Sequence, residues 1–197
     1  TWASGRPWHG FYAQLEEIAA VLGAGVHLCR MPLGQVCAVF VRETQVTSWV
    51  FDAKGTSYEA TVVDAEGVTD AQVAWHPDGT LRVALCLGGT VQEHYSGDHG
   101  RSWGNASVLM GGSVIAIATH PSLGYEINVV WASGAFRAYR RMHKAASYED
   151  MGVIVTADEV RGGLEFAGDA HETLVFVIDG VRRFESTDLA ETWVEIS

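Results

Sequence analysis

Residues 96–103 read Ser96-Gly97-Asp98-His99-Gly100-Arg101-Ser102-Trp103, and residues 186–193 read Ser186-Thr187-Asp188-Leu189-Ala190-Glu191-Thr192-Trp193. Each has a serine, an aspartate two places on, a hydroxyl residue four places after that, and then a tryptophan. The two tryptophans stand 90 residues apart, and a step of half that length from Trp103 arrives at Tyr148 and at Tyr58. Ser147 and Ser57 precede these tyrosines as Ser102 precedes Trp103, and Val63, Val108 and Val153 follow five places later. A series of this kind marks an internal repeat, and a repeat of this length decides the architecture.

The rest of the unit keeps the period. A β-rich stretch runs up to each segment: 46–51, 91–96, 136–141 and 181–186. A more apolar run lies before it at 36–41, 81–87, 127–131 and 174–178, separated from it in three units by Gly88-Gly89, Ser133-Gly134 and Asp179-Gly180. Those pairs are hairpin turn signals. A first apolar run opens each unit at 27–31, 71–75, 114–119 and 164–167. Four strands in about 45 residues match one blade of a β-propeller. The fold class expected is therefore all-β: a propeller of about four four-stranded blades over residues 24–197. Blades of this kind must pack face to face, since one twisted sheet cannot bury both its faces alone.

Residues 1–23 stand apart. Tyr12 to Leu22 has helix-favouring composition, yet Ile18 falls in the register of an outer strand. The segment is expected to be either a short helix or an outer strand that closes the ring by completing the last blade.

Bulk composition bounds the function. Hydrophobic residues make up 48% and charged residues 19% of 197, which suits a packed core and excludes a disordered chain. Thirteen Lys and Arg against 24 Asp and Glu give a net charge of −11, so no nucleic-acid partner is expected, because such binding depends on displacing counterions with basic residues. The densest basic cluster, Arg140, Arg141 and Lys144, reads as a solvated strand edge. No apolar run is long enough to cross a bilayer as a helix, and Glu16 and Glu17 interrupt the one N-terminal apolar stretch, so neither membrane insertion nor a signal peptide is expected. Cys29, Cys37 and Cys86 lack paired spacing and read as small buried hydrophobes. The eight histidines lack metal-ligand spacing. No metal and no cofactor is expected.

The segment from Ser96 to Trp103 resembles the Asp-box pattern, also called the bacterial neuraminidase repeat, at every defined position. Ser186 to Trp193 resembles it with Ala190 in place of the glycine. The segments ending at Tyr58 and Tyr148 are decayed versions, with Ala53 and His143 where the aspartate belongs. The resemblance implies a turn between the third and fourth strands of a blade. It assigns Ser96, Asp98, Gly100, Ser102, Trp103, Ser186, Asp188, Thr192 and Trp193 structural roles. Asp98 and Asp188 would accept hydrogen bonds from their own turns. The two tryptophans would pack between blades, with Tyr58 and Tyr148 in their places elsewhere.

Asp boxes also occur in sialidases, and Arg30-Met31-Pro32 resembles the motif that presents one arginine of their carboxylate-binding triad. No second arginine motif follows, Arg30 occupies the inner-strand position that Trp75 holds one unit later, and six blades at this period would need about 270 residues. The expectation is a protein that is not an enzyme: a structural or receptor-binding module of a larger assembly such as a phage tail, in a virion or extracellular setting. A free-standing carbohydrate- or protein-binding propeller is the alternative, and a sialidase-like hydrolase the least favoured reading. Partners would be a glycan, a protein or other virion subunits. Ligand contacts are sought at one face of the disc, with Trp75, His76, His120, Trp131, Asp179 and Arg30 as candidates.

Overall fold

The computed structural model describes residues 26–52, 56–104, 107–142, 147–160, 162–167 and 173–196. They form four sheets, each of four antiparallel strands in chain order. Blade 1 contains β1 (Val26–Arg30), β2 (Val36–Val41), β3 (Val46–Phe51) and β4 (Ser57–Val63). Blade 2 contains β5 (Val68–Trp75), β6 (Leu81–Leu87), β7 (Thr90–Ser96) and β8 (Ser107–Gly111). Blade 3 follows with β9 (Val114–Thr119), β10 (Glu126–Ala132), β11 (Ala135–Arg141) and β12 (Glu149–Thr156). Blade 4 consists of β13 (Gly162–Ala167), β14 (Thr173–Ile178), β15 (Arg182–Ser186) and β16 (Val194–Ile196). The chain is thus an all-β propeller of four four-stranded blades.

Side chains on successive strand positions face opposite sides of a sheet. The second strand of each blade, covered on both faces, accordingly reads as an almost continuous apolar run, and five of the six residues in Val36–Val41 are buried. Between blades 1 and 2 the core joins Val39 and Val50 to Leu81 and Val83. Between blades 2 and 3 it joins Cys86 and Val91 to Ile115 and Val130. Phe136 meets Phe176 edge-on between blades 3 and 4, with ring centres 5.1 Å apart. Each fully buried side chain of this size contributes about 1.5–3 kcal/mol.

The hairpin turns obey their chemistry. Gly88-Gly89, Ser133-Gly134 and Asp179-Gly180 all hold positive φ at both positions, the conformation whose twist matches the flanking strands. The outer-strand valines that mark the period are not core residues, since Val108 and Val153 are exposed.

The outer position of the fourth sheet is filled by β16, paired to β15 through Arg183–Ile196, Phe184–Glu195 and Glu185–Val194. The segment 1–23, expected to be a short helix or a closing outer strand, lies outside the described residues. The innermost strands pack in the order β1, β5, β9, β13. Among the described residues no apolar cluster joins blade 4 to blade 1.

Candidate functional site

Antiparallel order sends the first and third strands of every blade toward one end of the disc. The boxes, which follow third strands, therefore share that end with the loops that follow first strands. The turns between second and third strands lie at the opposite, far end.

In the second blade the box is fully wired. Asp98 accepts hydrogen bonds from the Ser96 hydroxyl (2.7 Å), the N–H groups of Arg101 (3.0 Å) and Ser102 (2.9 Å), and the Ser102 hydroxyl (2.6 Å). Partial burial works to raise its pKa, but these donors outweigh it and hold the carboxyl at about 2. The Ser96 hydroxyl also accepts from the Gly100 N–H at 2.7 Å. Gly100 has φ +87, and a Cβ there would stand 2.9 Å from Val50, so both backbone and space call for glycine. In the fourth blade Asp188 makes the same bonds to Ser186 and Thr192. Ala190 occupies the glycine position at φ +72, fully buried. The segment Ala53–Gly55 and His143 of the decayed boxes lie outside the described residues.

The box aromatics reach back onto the preceding blade. Trp103 donates its indole N–H to the Ser48 hydroxyl of blade 1 at 2.9 Å. One unit on, Tyr148 directs its hydroxyl to Glu93 of blade 2 (3.4 Å) and to Glu126. One further unit on, the position of Ser48 and Glu93 is Ala138, and the buried Trp193 Nε1 has no hydrogen-bond partner among the described residues. Tyr58 departs from the expected series. It belongs to blade 1 and points forward, donating its hydroxyl to the His99 carbonyl of blade 2 at 2.5 Å. It thus fills the same joint as Trp103 from the other side.

The tyrosine joint contains a cluster that sequence reasoning missed. Arg141 grips Glu93 with both terminal nitrogens (2.6 and 3.0 Å) and reaches Glu126 at 2.7 Å. Arg82 adds bonds to Glu126 (3.1 Å) and Asp78 (3.2 Å). Glu126 is 1% exposed. Burial, helped by the neighbouring Glu93 charge, pushes its pKa up to about 7 against the pull of the arginines. For Glu93 burial also acts upward, but the Arg141 bonds prevail and lower it. Arg140 and Arg141, expected to be a solvated edge, are instead nearly covered and ion-paired. An acid at the period position of Ser48 was the available signal. The cluster unites a tyrosine, two glutamates and two arginines, but its charges are spent on one another across the joint.

The concave site lies elsewhere. The box-end halves of all four inner strands surround an opening of about 350 Å³ that includes Leu28, Arg30, Trp75, Thr119, Glu165 and Phe166. Of the sequence candidates, Arg30 and Trp75 line it. Cys29 lines it too, and burial pushes that thiol up to about 12, so it stays protonated and is a poor nucleophile at neutral pH.

His76 and His120 are buried below the rim. His76 Nε2 meets the Gly124 carbonyl at 3.1 Å, and His120 Nδ1 accepts from the Leu123 N–H at 3.0 Å. Both rings brace loops. Trp131 and Asp179 sit at the far end. The Trp131 N–H is donated to the Ala157 carbonyl at 2.9 Å, and Asp179 is a left-handed turn residue. The six candidates therefore do not form one face. Strand parity separates them, and counting strand ends in the sequence would have shown it.

No family model and no curated protein matches the chain. Solved structures share its fold. A chain of a nidogen/laminin complex superposes with a TM-score of 0.63 at 13% identity, covering 87% of this chain and 64% of that one. The NanB sialidase from Streptococcus pneumoniae gives 0.60 at 12%, covering 88% and 31%. A xylan β-1,4-xylosidase from Bacillus halodurans C-125 gives 0.58 at 9%, covering 87% and 41%. The chain spans less than two thirds of each of these proteins, and likeness at such identities speaks for the fold alone.

Proposed function

We propose that this propeller binds rather than catalyses, and serves as a structural or receptor-binding module of a larger assembly, as in a phage tail. The observation that carries this reading is the lining of the box-end opening, where Glu165 is the one carboxylate among the described residues. Most retaining glycosidases use two carboxyl groups about 5–5.5 Å apart and sialidases a tyrosine nucleophile, and the described lining of the opening includes neither a second carboxylate nor a tyrosine. The acids that do stand close, Glu93 and Glu126, are bound by arginines inside a joint. Trp75, Phe166 and Leu28 offer apolar contact around the opening, with Arg30 and Glu165 as polar groups, the mixture typical of a recognition site.

A free-standing carbohydrate-binding propeller is the second reading, favoured by Trp75, whose ring can stack on a sugar. The sialidase reading draws only on the Arg30 motif and the shared fold. Incubation with a fluorogenic sialoside and a panel of aryl glycosides should give turnover no higher than the buffer blank. Turnover that disappears in Arg30→Ala would replace this proposal with the enzyme reading. A glycan array and a partner screen, each repeated on Thr119→Trp to plug the opening, should show ligand binding that the plug abolishes.

A further inference from the structure

The molecule has nearly twice as many acidic as basic residues, 24 against 13. With acids in surplus, its arginines find carboxylates readily. Arg30 aside, every described arginine but one has its guanidinium within 4 Å of a described carboxylate, from Arg42 with Glu59 (3.3 Å) to Arg183 with Glu185 (2.6 Å). The exception is Arg101. Its guanidinium lies over the Tyr58 ring, 4.5 Å from the centroid, and the residue is exposed. A guanidinium resting on an aromatic face keeps its N–H edge directed outward, where it can take a carboxylate with two parallel bonds.

The surroundings are built around it. Tyr58 is held by its bond to the His99 carbonyl. His99 has φ +64, touches Trp75 edge-on at 5.4 Å, and meets Gln35 Oε1 at 3.2 Å through Nδ1. Gln35 ends the loop whose tip is Leu33, 90% exposed and in the left-handed region at φ 61. The left-handed region disfavours a leucine, and an exposed apolar side chain gains nothing from it in the isolated protein. Arg101, Tyr58, His99, Trp75 and the Leu33 loop thus form one connected strip along the seam of blades 1 and 2. Trp, Tyr and Arg are the residue types that dominate protein-binding hot spots.

We infer that this strip docks a protein segment that presents an Asp or Glu beside a large apolar side chain, the acid meeting Arg101 and the apolar group meeting Leu33 and Trp75. The inference rests on the reading of the box end as a binding face and adds the partner's chemistry. Charge complementarity selects the acid: among the described residues the exposed Arg101 guanidinium has no carboxylate to pair with, so an incoming one can take it.

A random peptide library displayed on yeast and selected on the intact protein tests it. Enriched peptides should carry Asp or Glu next to Leu, Ile, Phe or Trp. They should bind Arg101→Gln about tenfold more weakly, Arg101→Lys in between, and Arg137→Gln as well as the parent, with the gap between parent and Arg101→Gln narrowing as salt rises. Thermal melts of the variants should match the parent, which separates lost binding from lost folding. Enriched peptides that ignore Arg101→Gln, or a selection that enriches no acidic peptide, overturn the inference. If such peptides are lost in Thr119→Trp yet indifferent to Arg101→Gln, binding at the box-end opening stands and this inference alone fails. Oligogalacturonate binding that depends on Arg101, with no peptide enriched, would make the partner a glycan and also overturn it.

Discussion

The two well-formed boxes share a turn and differ in what they do with its sixth residue. In blade 4 that residue is Glu191, and Arg140 of blade 3 reaches it at 3.1 Å while also donating to the Leu189 carbonyl at 3.3 Å. In blade 2 it is Arg101, and the preceding blade supplies Tyr58, whose hydroxyl takes the equivalent His99 carbonyl while its ring supports the guanidinium. One joint closes its charges internally. The other leaves a cation facing solvent. The shared carboxylate, Asp98 or Asp188, holds the turn in both, so the turn tolerates either outcome and the variable position is available for recognition. The aromatic anchors differ in the same way: Trp103 finds Ser48, whereas Trp193 packs near Ala138 and its N–H has no partner among the described residues.

The largest effect separating the joints should come from those tryptophans. Trp103→Ala should cost about 3 kcal/mol, the low end for a large aromatic because the ring is only half-buried. Trp193→Ala should cost roughly 1 kcal/mol less, since no hydrogen bond is lost with it. Equal losses in chemical denaturation would erase the distinction drawn from Ser48 and Ala138.

A smaller effect tests what the boxes have in common. Asp98→Asn should destabilise by about 1.5 kcal/mol at neutral pH, for weakened bonds to a partly exposed charged acceptor. The Asp98 carboxyl sits at about 2 in the fold against an ordinary 3.8. Its depressed pKa therefore contributes stability that is complete above the ordinary value and lost as pH falls from there through 2. The gap between parent and variant melts should close over that window. A gap that persists at the acid end would mean that shape, rather than charge, holds the turn.

The smallest predicted change converts one joint toward the other. Ala138→Ser offers the Trp193 N–H an acceptor at the position Ser48 holds for Trp103, and should stabilise by about 0.5 kcal/mol. A loss instead would show that the site around Ala138, fully buried, has no room for the added oxygen.

Much of this was written in local chemistry. The period was legible because Ser96, Asp98 and Trp103, with Ser186, Asp188 and Trp193, repeat a turn whose bonds are made within eight residues. The Gly88-Gly89, Ser133-Gly134 and Asp179-Gly180 turns mark hairpins for the same reason: their φ values depend on the residues that sit there, not on distant contacts. Strand bounds such as Val36–Val41, Leu81–Leu87 and Val114–Thr119 follow from apolar runs flanked by such turns.

Contacts between units were decided only in three dimensions. That Arg141 joins two glutamates from different blades, that Tyr58 points forward while Tyr148 points back, that His76 and His120 brace loops, and that the Arg101 guanidinium rests on a tyrosine ring all depend on which side chains adjacent blades bring together. A repeat specifies each blade's own sheet through neighbours close along the chain. The side chains that meet across a joint come from positions roughly 40–55 residues apart, where the period tells which positions face each other but not how their charges, volumes and hydrogen bonds settle.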